Sequence, residues 1–479
     1  MPRLSGILSR RTTGGEPRVR SHDVALEPTP LDATQPRPHY GRTPLKGRLI
    51  LLAGLAAGAL AFAWFLWTPS PPEPAPTPEP YEGPGEVSLS PNGGRFRRAP
   101  QDLTREQQSQ ANELNGIGYA AGSEPAPGQS GVTVHDRARA FAGTNLYTSG
   151  HAPEAVLMDM DGRVLHTWRA DVRTVWPEEQ LEGRSLALVQ FWRRAFLREN
   201  GELLAIFEGH GLVKLDQHSN VLWKSRCRAH HDLEVLANGD ILVLTREAHV
   251  VPEFNPSRPI LEDFVTLLDA NGVEQRRFSL LEALEVSPYT ELERRAHQRR
   301  DDILHTNSLV VLDGRLAARL PAFKRGNLLV SSRPLSFLAV VDPERAELVW
   351  TMQGPFKEQH DPKVLANGNL LVLDNAGLGE ASRVLELDPV SGAIVWEYRG
   401  TPAAPFFTRT CGTAERLPNG NTLVTESDSG RAFEVTPGGD IVWEFWNPER
   451  AGELGELIAT LFEVVRLAPA HSLDWLERH

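Results

Sequence analysis

Residues 360–396 read HDPKVLANGNLLVLDNAGLGEASRVLELDPVSGAIVW and contain four short apolar runs separated by turn residues. An Asn-Gly turn joins the first two runs, and a turn rich in Asp, Pro, Ser and Gly joins the last two. Apolar runs joined by such turns are typical of β-hairpins. The last run ends in Trp396. The stretch therefore predicts a four-stranded antiparallel sheet.

The same unit recurs from residue 131 to residue 448 at intervals of about 45 residues, the length of a β-propeller blade. One four-stranded sheet cannot bury both of its faces, whereas sheets stacked around an axis bury them against their neighbours. We therefore expect an all-β, six-bladed β-propeller over residues 131–448, and the uniform period disfavours the alternative of a two-sheet sandwich. The six hairpins that end in an aromatic residue span 157–168, 212–223, 265–278, 340–350, 385–396 and 433–443.

The segment before the repeats has a different composition. Residues 1–47 are rich in Arg, Pro and Thr and are expected to form a disordered cytoplasmic tail. An uncharged run of 19 residues, 49–67, predicts a transmembrane helix over residues 48–67. Basic residues precede this run and acidic ones follow it, which places the repeats outside the cytoplasm. Residues 68–130 are expected to be a Pro-rich linker with a short helix. The long tail disfavours the alternative of a cleaved signal peptide.

Two segments depart from the repeat and have helical apolar spacing. Residues 280–300 predict two short helices separated at Pro288. Residues 449–479 contain the run GELGELIATLFEVVRL, whose apolar residues recur at i, i+3 and i+4. This spacing predicts a short C-terminal helical segment that packs on the propeller.

Charge and cysteine content limit the partners of the chain. The net charge of −12 argues against a nucleic-acid partner. Cys227 and Cys411 are the two cysteines, and their spacing matches no zinc site. Whether they pair with each other stays open.

Histidine recurs at one position relative to the turn glycines. The eighth residue before the glycine is His231 in one unit and His360 in another, and His305 lies nine residues before the glycine of a third. Equivalent positions at the start of inner strands converge on one mouth of a propeller's channel. We therefore expect three imidazoles to face a common point, with Arg193 at the same position in an earlier unit. Arg333, which ends the strand after His305, is a candidate to bind an anion in the same channel.

Other interpretations of these residues stay open at this point. Imidazole is a common metal ligand, but the histidines come from different units, so no metal site is assigned. Each histidine could instead make a local hydrogen bond to a loop backbone. The arginine at the strand end could be a solvated surface charge.

The motifs around these residues resemble those of the bacterial arylsulfotransferases that use an aryl sulfate donor and no nucleotide. The resemblance extends from GVTVHDRARAFAGTNLYTS at 131–149, through HHDLEVLANGD, HTNSLVVLDG, SSRP and EQHDPKVLANGNLLVLDNAG, to VWEF at 442–445. It implies a six-bladed propeller and ping-pong transfer of a sulfuryl group from an aryl sulfate to a phenol through a sulfohistidine intermediate. It implies no cofactor and no metal. Together with the transmembrane prediction, it implies a single-pass protein of the bacterial inner membrane, with the propeller in the periplasm or outside the cell.

Taken motif by motif, the resemblance assigns roles to residues of this sequence. His360 matches the nucleophilic histidine that is transiently sulfated. His305 and Arg333 match residues that hold the sulfuryl oxygens, and His231 matches the remaining channel histidine. The other residues assigned to substrate binding are His230, as the alternative to His231, Asn307 and Arg193.

A different class of function is a non-catalytic, membrane-tethered propeller that binds an envelope protein or a glycan. Such a module would have an empty or apolar channel, with His231, His305 and His360 turned aside. A quinone-cofactor dehydrogenase would need more blades and calcium ligands, which the sequence does not indicate. The donor, the acceptor, the oligomeric state and the retention of catalysis in this divergent chain stay open.

Overall fold

The computed structural model describes residues 103–115, 120–179, 181, 186–187 and 189–476. The predicted cytoplasmic tail, the predicted transmembrane helix and the first part of the linker lie outside these ranges. Within the ranges, no helix combines the length and the apolar composition needed to cross a bilayer.

The described residues form many short strands and few helices. The helices are α1 Arg105–Asn115, which is the short helix expected in the linker, α2 Val172–Val175, α3 Leu280–Glu285 and α4 Thr290–Ala296, with a 3₁₀ helix at Pro321–Phe323. The strands are β1 Gly131–His135, β2 Thr144–Ser149, β3 Glu154–Met158, β4 Val164–Arg169, β5 Arg194–Leu197, β6 Leu203–Phe207, β7 Gly211–Leu215, β8 Val221–Ser225, β9 Ala229–Val235, β10 Ile241–His249, β11 Ile260–Leu268, β12 Glu274–Ser279, β13 Thr306–Val311, β14 Leu328–Ser332, β15 Phe337–Asp342, β16 Glu347–Met352, β17 His360–Val364, β18 Leu370–Asp374, β19 Arg383–Leu387, β20 Ile394–Arg399, β21 Thr413–Arg416, β22 Thr422–Glu426, β23 Arg431–Val435, β24 Ile441–Trp446, β25 Arg450–Ala451, β26 Leu457–Ile458 and β27 Leu461–Leu467.

Within the described ranges the strands form six antiparallel sheets of four or five strands and one small sheet from β25 and β26. Blades 2 to 5 each use four consecutive strands, namely β5–β8, β9–β12, β13–β16 and β17–β20. Consecutive blades contact each other through inner strands such as β9, β13 and β17. The sixth blade contacts the first through β22 and β27, which closes a ring. The expected all-β, six-bladed propeller is therefore confirmed.

Both ends of the repeat region close this ring. β1 is the outermost strand of blade 6, beside β24, and β27 is the innermost strand of blade 1, beside β2. The predicted helical segment at 449–479 is therefore wrong, since β25, β26 and β27 form there. Its apolar spacing also fits a strand covered on both faces, and Leu461 and Phe462 are fully buried. The propeller thus extends past the predicted boundary at residue 448, to Leu467.

The aromatic residues that end the hairpins bind the neighbouring blades. The indole N–H of Trp168 in blade 1 donates to the carbonyl of Gly201 in blade 2 at 3.1 Å. The indole N–H of Trp443 in blade 6 donates to the carbonyl of Met160 in blade 1 at 2.9 Å. Both tryptophans are fully buried, so each ring fills the space between two blades while its polar atom is satisfied.

The connection between blades 3 and 4 contains the two helices expected there. α3 is capped by Ser279, whose Oγ accepts from the backbone N–H of Glu282 at 3.1 Å, and it ends before Pro288. α3 packs against β11 and β16 and is therefore wedged between the two blades. The chain then leads through α4 to the start of β13, which carries part of the candidate site.

Charged residues on the inner strands join different blades. Arg194 of β5 pairs with Asp232 of β9 at 2.9 Å and with Glu463 of β27 at 3.2 Å. Asp361 of β17 accepts from the backbone N–H of Ala414 in blade 6 at 3.2 Å. Because buried charges are costly unless paired, these contacts fix the inner strands relative to each other where the site begins.

Candidate active site

Two positions in the repeat supply the side chains of the site. The first is the start of the inner strand, eight residues before the turn glycine, where blades 2, 3 and 5 have Arg193, His231 and His360. Antiparallel pairing brings this position close to the end of the second strand. The turn glycines have φ between 82° and 89°, a region that favours glycine. The second position lies seven residues after the same glycine, where blades 2 to 6 have Glu208, Arg246, Arg333, Asn375 and Ser427.

The inner strands of blades 3, 4 and 5 are irregular where the site begins. The pairing register shifts in the β9–β10, β13–β14 and β17–β18 ladders. An extra residue in one strand of a pair re-aims the side chains beside it. His231 and Asp361 lie within these shifted parts and have positive φ angles of 54° and 50°, and His305, just before β13, has a φ of 42°.

His360 is buried, and its ring is held in one orientation. Its Nδ1 lies 2.7 Å from Oδ1 of Asn375 and 3.1 Å from the carbonyl oxygen of Glu358. Nδ2 of Asn375 donates to the carbonyls of Thr408 and Cys411, each at 2.9 Å, so Oδ1 is the acceptor that faces His360. Nδ1 of His360 therefore carries the proton, and Nε2 keeps its lone pair. Nε2 has no hydrogen-bond partner among the described residues.

Arg333 is connected to His360 through Glu358. Nη2 of Arg333 donates to Oε2 of Glu358 at 2.5 Å, and the carbonyl of Glu358 faces Nδ1 of His360. The backbone N–H of Arg333 donates to the carbonyl of His305 at 3.4 Å. The structure thus brings Arg333, His305 and His360 together.

Three further imidazoles form a contiguous group. His230 and His231 share a hydrogen bond between their Nδ1 atoms at 2.8 Å. The rings of His231 and His305 make an edge-on contact, with centroids 5.0 Å apart. Nδ1 of His305 is also hydrogen-bonded to Oδ2 of Asp302. Both candidates for the remaining channel histidine, His230 and His231, therefore belong to one cluster.

Burial keeps His230, His231 and His360 neutral. Loss of hydration is the largest cause that lowers the pKa of each ring well below the ordinary histidine value. Nearby positive charges lower these pKa values further: Arg246 acts on His230 and His231, and Arg193 acts on His231 and His360. At neutral pH these three side chains are therefore hydrogen-bonding groups or nucleophiles, and not cations.

Asn307 and Gln359 tie the inner strands of blades 4 and 5 together. Nδ2 of Asn307 donates to the carbonyl of Gln359 at 2.8 Å, and Nε2 of Gln359 donates to Oγ of Ser331 at 2.9 Å. Asn307 thereby fixes the residue that precedes His360. Arg193 is buried nearby, with its guanidinium carbon 5.6 Å from the centre of the Phe462 ring.

Glu208, His230 and His231 are a group that could hold a metal ion, since their ligand atoms lie within 4.8 Å of one another. Nη1 of Arg246, however, lies 3.3 Å from Oε1 of Glu208. Its charge opposes a second cation at this point. The two histidines also share a hydrogen bond through Nδ1. We therefore assign the group to the hydrogen-bond network of the site.

The chain is similar to a known protein family. A family model described as arylsulfotransferase (ASST) matches residues 195–448, more than half of the chain. The chain belongs to the arylsulfotransferase family. The matched range contains His231, His305, Arg333 and His360. No curated protein sequence matches the chain.

Several solved structures are similar to this chain at low sequence identity. A protein of unknown function from Bacteroides caccae is 13% identical, over 67% of this chain and 98% of that chain, with a TM-score of 0.43. The β-propeller domain of Cps50 (Swd1) from Myceliophteria thermophila is 12% identical, over 70% and 93% of the two chains, with a TM-score of 0.38. The virginiamycin B lyase of Staphylococcus aureus is 11% identical, over 53% and 69%, with a TM-score of 0.31.

The structure corrects one position in the predicted alignment of the repeats. Strand pairing places Asn307, and not His305, at the position equivalent to His360. The nine-residue offset of His305 takes Gly314 as the turn glycine. The connection between β13 and β14 is longer than in the other blades and includes the 3₁₀ helix, so Gly326 is the equivalent glycine. His305 still reaches the cluster, because the irregular start of β13 turns its ring toward His231.

Sequence reasoning missed several residues that hold the site together. Three of them, Glu208, Arg246 and Asn375, lie seven residues after a turn glycine, as Arg333 does. The offset was a usable signal, but the chemical type changes from blade to blade, so no repeated residue marks it. Glu358 and Asp302 precede inner strands and have no such signal.

Proposed function

We propose that this arylsulfotransferase family member moves a sulfuryl group from an aryl sulfate donor to a phenolic acceptor through a sulfohistidine at His360. Family membership supports the coarse activity. The observation that carries the proposal is the state of the His360 ring. Its Nδ1 proton is bound by Asn375, while the lone pair of Nε2 has no hydrogen-bond partner among the described residues. A buried, unprotonated and oriented nitrogen has the properties of an activated nucleophile.

The first half-reaction uses this nitrogen as follows. The lone pair of Nε2 attacks sulfur, the N–S bond forms, and the bond between sulfur and the aryl oxygen breaks with its electron pair on the oxygen. The imidazole then gains positive character while Nδ1 keeps its proton. Oδ1 of Asn375, at 2.7 Å, stabilises that charge through the same hydrogen bond.

The oxygens of the transferring group need positive partners. Sulfuryl transfer resembles phosphoryl transfer, in which positioning and stabilisation of the equatorial oxygens supply most of the catalysis. Arg333 is half-buried and held by Glu358, so its guanidinium is oriented before a donor binds. Buried Arg193 supplies a second positive charge that acts on His360. These two arginines are the groups that would hold the sulfuryl oxygens.

The second half-reaction reverses the first with a different oxygen. A phenol acceptor loses its proton, its oxygen attacks sulfur, and the N–S bond breaks with its electron pair on Nε2. Over the two half-reactions, the proton lost by the acceptor balances the aryl oxide released by the donor. His360 returns to the neutral ring with the proton on Nδ1. The same site therefore serves the donor and the acceptor in turn, which predicts ping-pong kinetics.

The hydrogen bonds of the site support transfer over the alternative of a non-catalytic binding module. In such a module the side chains would turn away from a common point. Here His231 contacts His305, and the backbone of Arg333 binds the carbonyl of His305. The side chain of Arg333 in turn binds the residue whose carbonyl faces His360.

The uncharged run at 49–67 supports a location on the bacterial inner membrane, with the N-terminus in the cytoplasm and the propeller on the other side. Retention of the full-length protein in carbonate-washed membranes is the expected result. Complete release into the wash would contradict the anchor and would leave the catalytic proposal intact.

The catalytic proposal is tested by trapping the intermediate. Purified full-length protein is mixed with 4-nitrophenyl sulfate without an acceptor, and we expect one equivalent of 4-nitrophenol and one SO3 group on the peptide that contains His360. The His360→Asn variant is expected to give neither. His249→Asn, at a histidine paired with Glu262 outside the site, is the control and is expected to retain both. If the unmodified protein releases no nitrophenol with any phenol present, the proposal is wrong.

A further inference from the structure

His305 differs from the other histidines of the cluster in being hydrogen-bonded to a carboxylate, whereas the carboxylate oxygens beside His230 and His231 lie 3.7 Å from their rings. Its Nδ1 is hydrogen-bonded to Oδ2 of Asp302, and both side chains are largely buried. The neighbouring His231 and His230 share a hydrogen bond with each other, and both are neutral. Of the three, His305 is therefore the ring whose Nδ1 is directed at a carboxylate.

Asp302 is itself fixed by the backbone around it. It forms a β-bridge with Leu261 of β11, and its carbonyl accepts from Nε of Arg299 at 2.9 Å. The residue lies between α4 and β13, so the helices inserted between blades 3 and 4 lead directly to it. A carboxylate held in this way fixes both the tautomer and the orientation of the imidazole it binds.

The charge state of Asp302 agrees with this arrangement. Burial alone would raise its pKa, but the charge and the hydrogen bond of His305 outweigh burial, and the pKa lies below the ordinary aspartate value. Burial and the charge of Asp302 raise the pKa of the adjacent Asp263 to about 7. Asp302, beside His305, is therefore the more acidic of these two carboxyl groups.

We propose that Asp302 is a positioning residue that holds His305 as the general acid for the departing aryl oxide and as the general base for the incoming phenol. This inference rests on the proposed function. With the proton of Nδ1 directed at Asp302, the proton that is transferred is the one on Nε2. In the first half-reaction it moves to the aryl oxygen as the S–O bond breaks, and in the second half-reaction the phenol returns a proton to Nε2. Protons and electron pairs therefore balance over the two steps.

The role of a general acid can be tested by comparing the sulfation rates of donors whose leaving groups differ in pKa. 4-Nitrophenol is acidic enough to leave as its anion without help, whereas phenol, with a pKa near ~10, needs the proton. Replacement of Asp302 by Asn is expected to slow sulfation by phenyl sulfate about 100-fold, the low end of a general acid's contribution. With 4-nitrophenyl sulfate the rate is expected to stay within about threefold of the unmodified protein, because the acid contributes little there. Asp302→Glu, which keeps the carboxylate, is expected to restore most of the rate with phenyl sulfate.

Glu154→Gln is the matched control. Glu154 pairs with His151 at 2.8 Å, and the exposed fractions of these two side chains, 13% and 14%, are close to the 14% and 12% of Asp302 and His305. Loss of this pair should cost comparable stability without changing the ratio of the two donors' rates. Rates are normalised to folded protein by thermal unfolding, so a poorly folded variant does not imitate the effect.

The outcomes separate the two proposals. If the unmodified protein is sulfated but Asp302→Asn slows both donors equally, the role of Asp302 is refuted and the nucleophilic role of His360 stands. The role of Asp302 is refuted as well if Glu154→Gln changes the donor ratio as strongly as Asp302→Asn does. If neither donor sulfates the unmodified protein, the proposed function fails, and the assignment of Asp302 fails with it.

Discussion

Replacement of Asn375 by Leu tests whether one hydrogen bond creates the nucleophile. Leu has a similar size but cannot accept the Nδ1 proton of His360. The acceptor that remains is the carbonyl of Glu358, at 3.1 Å in place of the 2.7 Å to Asn375. The tautomer with its proton on Nε2 then gains population, and that tautomer has no lone pair with which Nε2 could attack sulfur.

The size of the effect follows from the cost of an unsatisfied buried donor. Leaving a buried N–H without its acceptor costs about 1–3 kcal/mol. Since about 1.36 kcal/mol corresponds to a tenfold change in rate, we expect sulfation to slow by about 5- to 150-fold. The loss should fall on the rate of the first half-reaction, with little change in donor affinity, because Asn375 contacts the far side of the His360 ring from Nε2.

The assay is single-turnover release of 4-nitrophenol by an excess of purified protein. Asn447→Leu is the matched control, because Asn447 is also fully buried and its Nδ2 donates to Ser149 at 2.9 Å and to the carbonyl of Ala459 at 2.8 Å. Both variants lose two donated hydrogen bonds and should show similar decreases in melting temperature. Only Asn375→Leu should slow the reaction per folded molecule.

The result that refutes this reasoning is sulfation of Asn375→Leu at the unmodified rate while its melting temperature falls as far as that of Asn447→Leu. The hydrogen bond from Asn375 would then be structural, and another group would set the tautomer of His360. An equal loss of rate in both variants would refute it as well, since the effect would then follow from destabilisation.

Other consequences concern pH, charge geometry and ring closure. Because burial foremost, and then the charges of Arg333 and Arg193, lower the pKa of His360, the sulfation rate should not decline as pH falls through the ordinary histidine pKa near ~6.5, and burst rates from about pH 8 to pH 5 check this. Arg333→Lys keeps the charge but loses the planar group that binds Glu358. A charged hydrogen bond is worth about 1.5–3 kcal/mol, so kcat/KM should fall by about 10- to 150-fold in steady-state assays. Deletion of residues 461–479 removes β27 and opens blade 1, and loss of the near-ultraviolet circular dichroism of the native fold is the expected result.

The repeats and their tryptophans could be predicted because each is a local feature. An Asn-Gly turn and an aromatic strand end are set by short-range sequence, and the role of Trp168 between blades follows from burial of a large ring with one donor. The C-terminal strand could not be predicted in the same way. β27 forms a strand because it pairs with the inner edge of β2, which has no other partner. That free edge exists only once the ring of blades has closed.

The site residues likewise divide into those marked by local sequence and those whose position is set by the fold. His360 is visible from its repeat offset, because the hairpin turn fixes its distance from the glycine, and Arg333 is visible as an arginine that ends its strand. The sequence could not show that Asn307, and not His305, occupies the position equivalent to His360. That assignment depends on the length of the connection between β13 and β14. Asp302 is brought to His305 by the packing of an inserted helical segment, which no repeat offset records.

The irregular starts of the inner strands explain how a repeated scaffold can direct the side chains of the site toward one another. In an undistorted strand, neighbouring side chains point to opposite faces, so His230 and His231 could not share a hydrogen bond between their rings. A non-glycine residue at positive φ, such as His231 at 54°, costs of order ~1–3 kcal/mol and persists only where the surroundings over-determine it. In blade 6 a positive φ of 54° occurs at Cys411, one residue before the position equivalent to His231, and the β21–β22 pairing has no register shift. Among blades 2 to 6 of the described residues, the inner-strand register shifts in blades 3, 4 and 5, which are the blades that supply the histidines of the site.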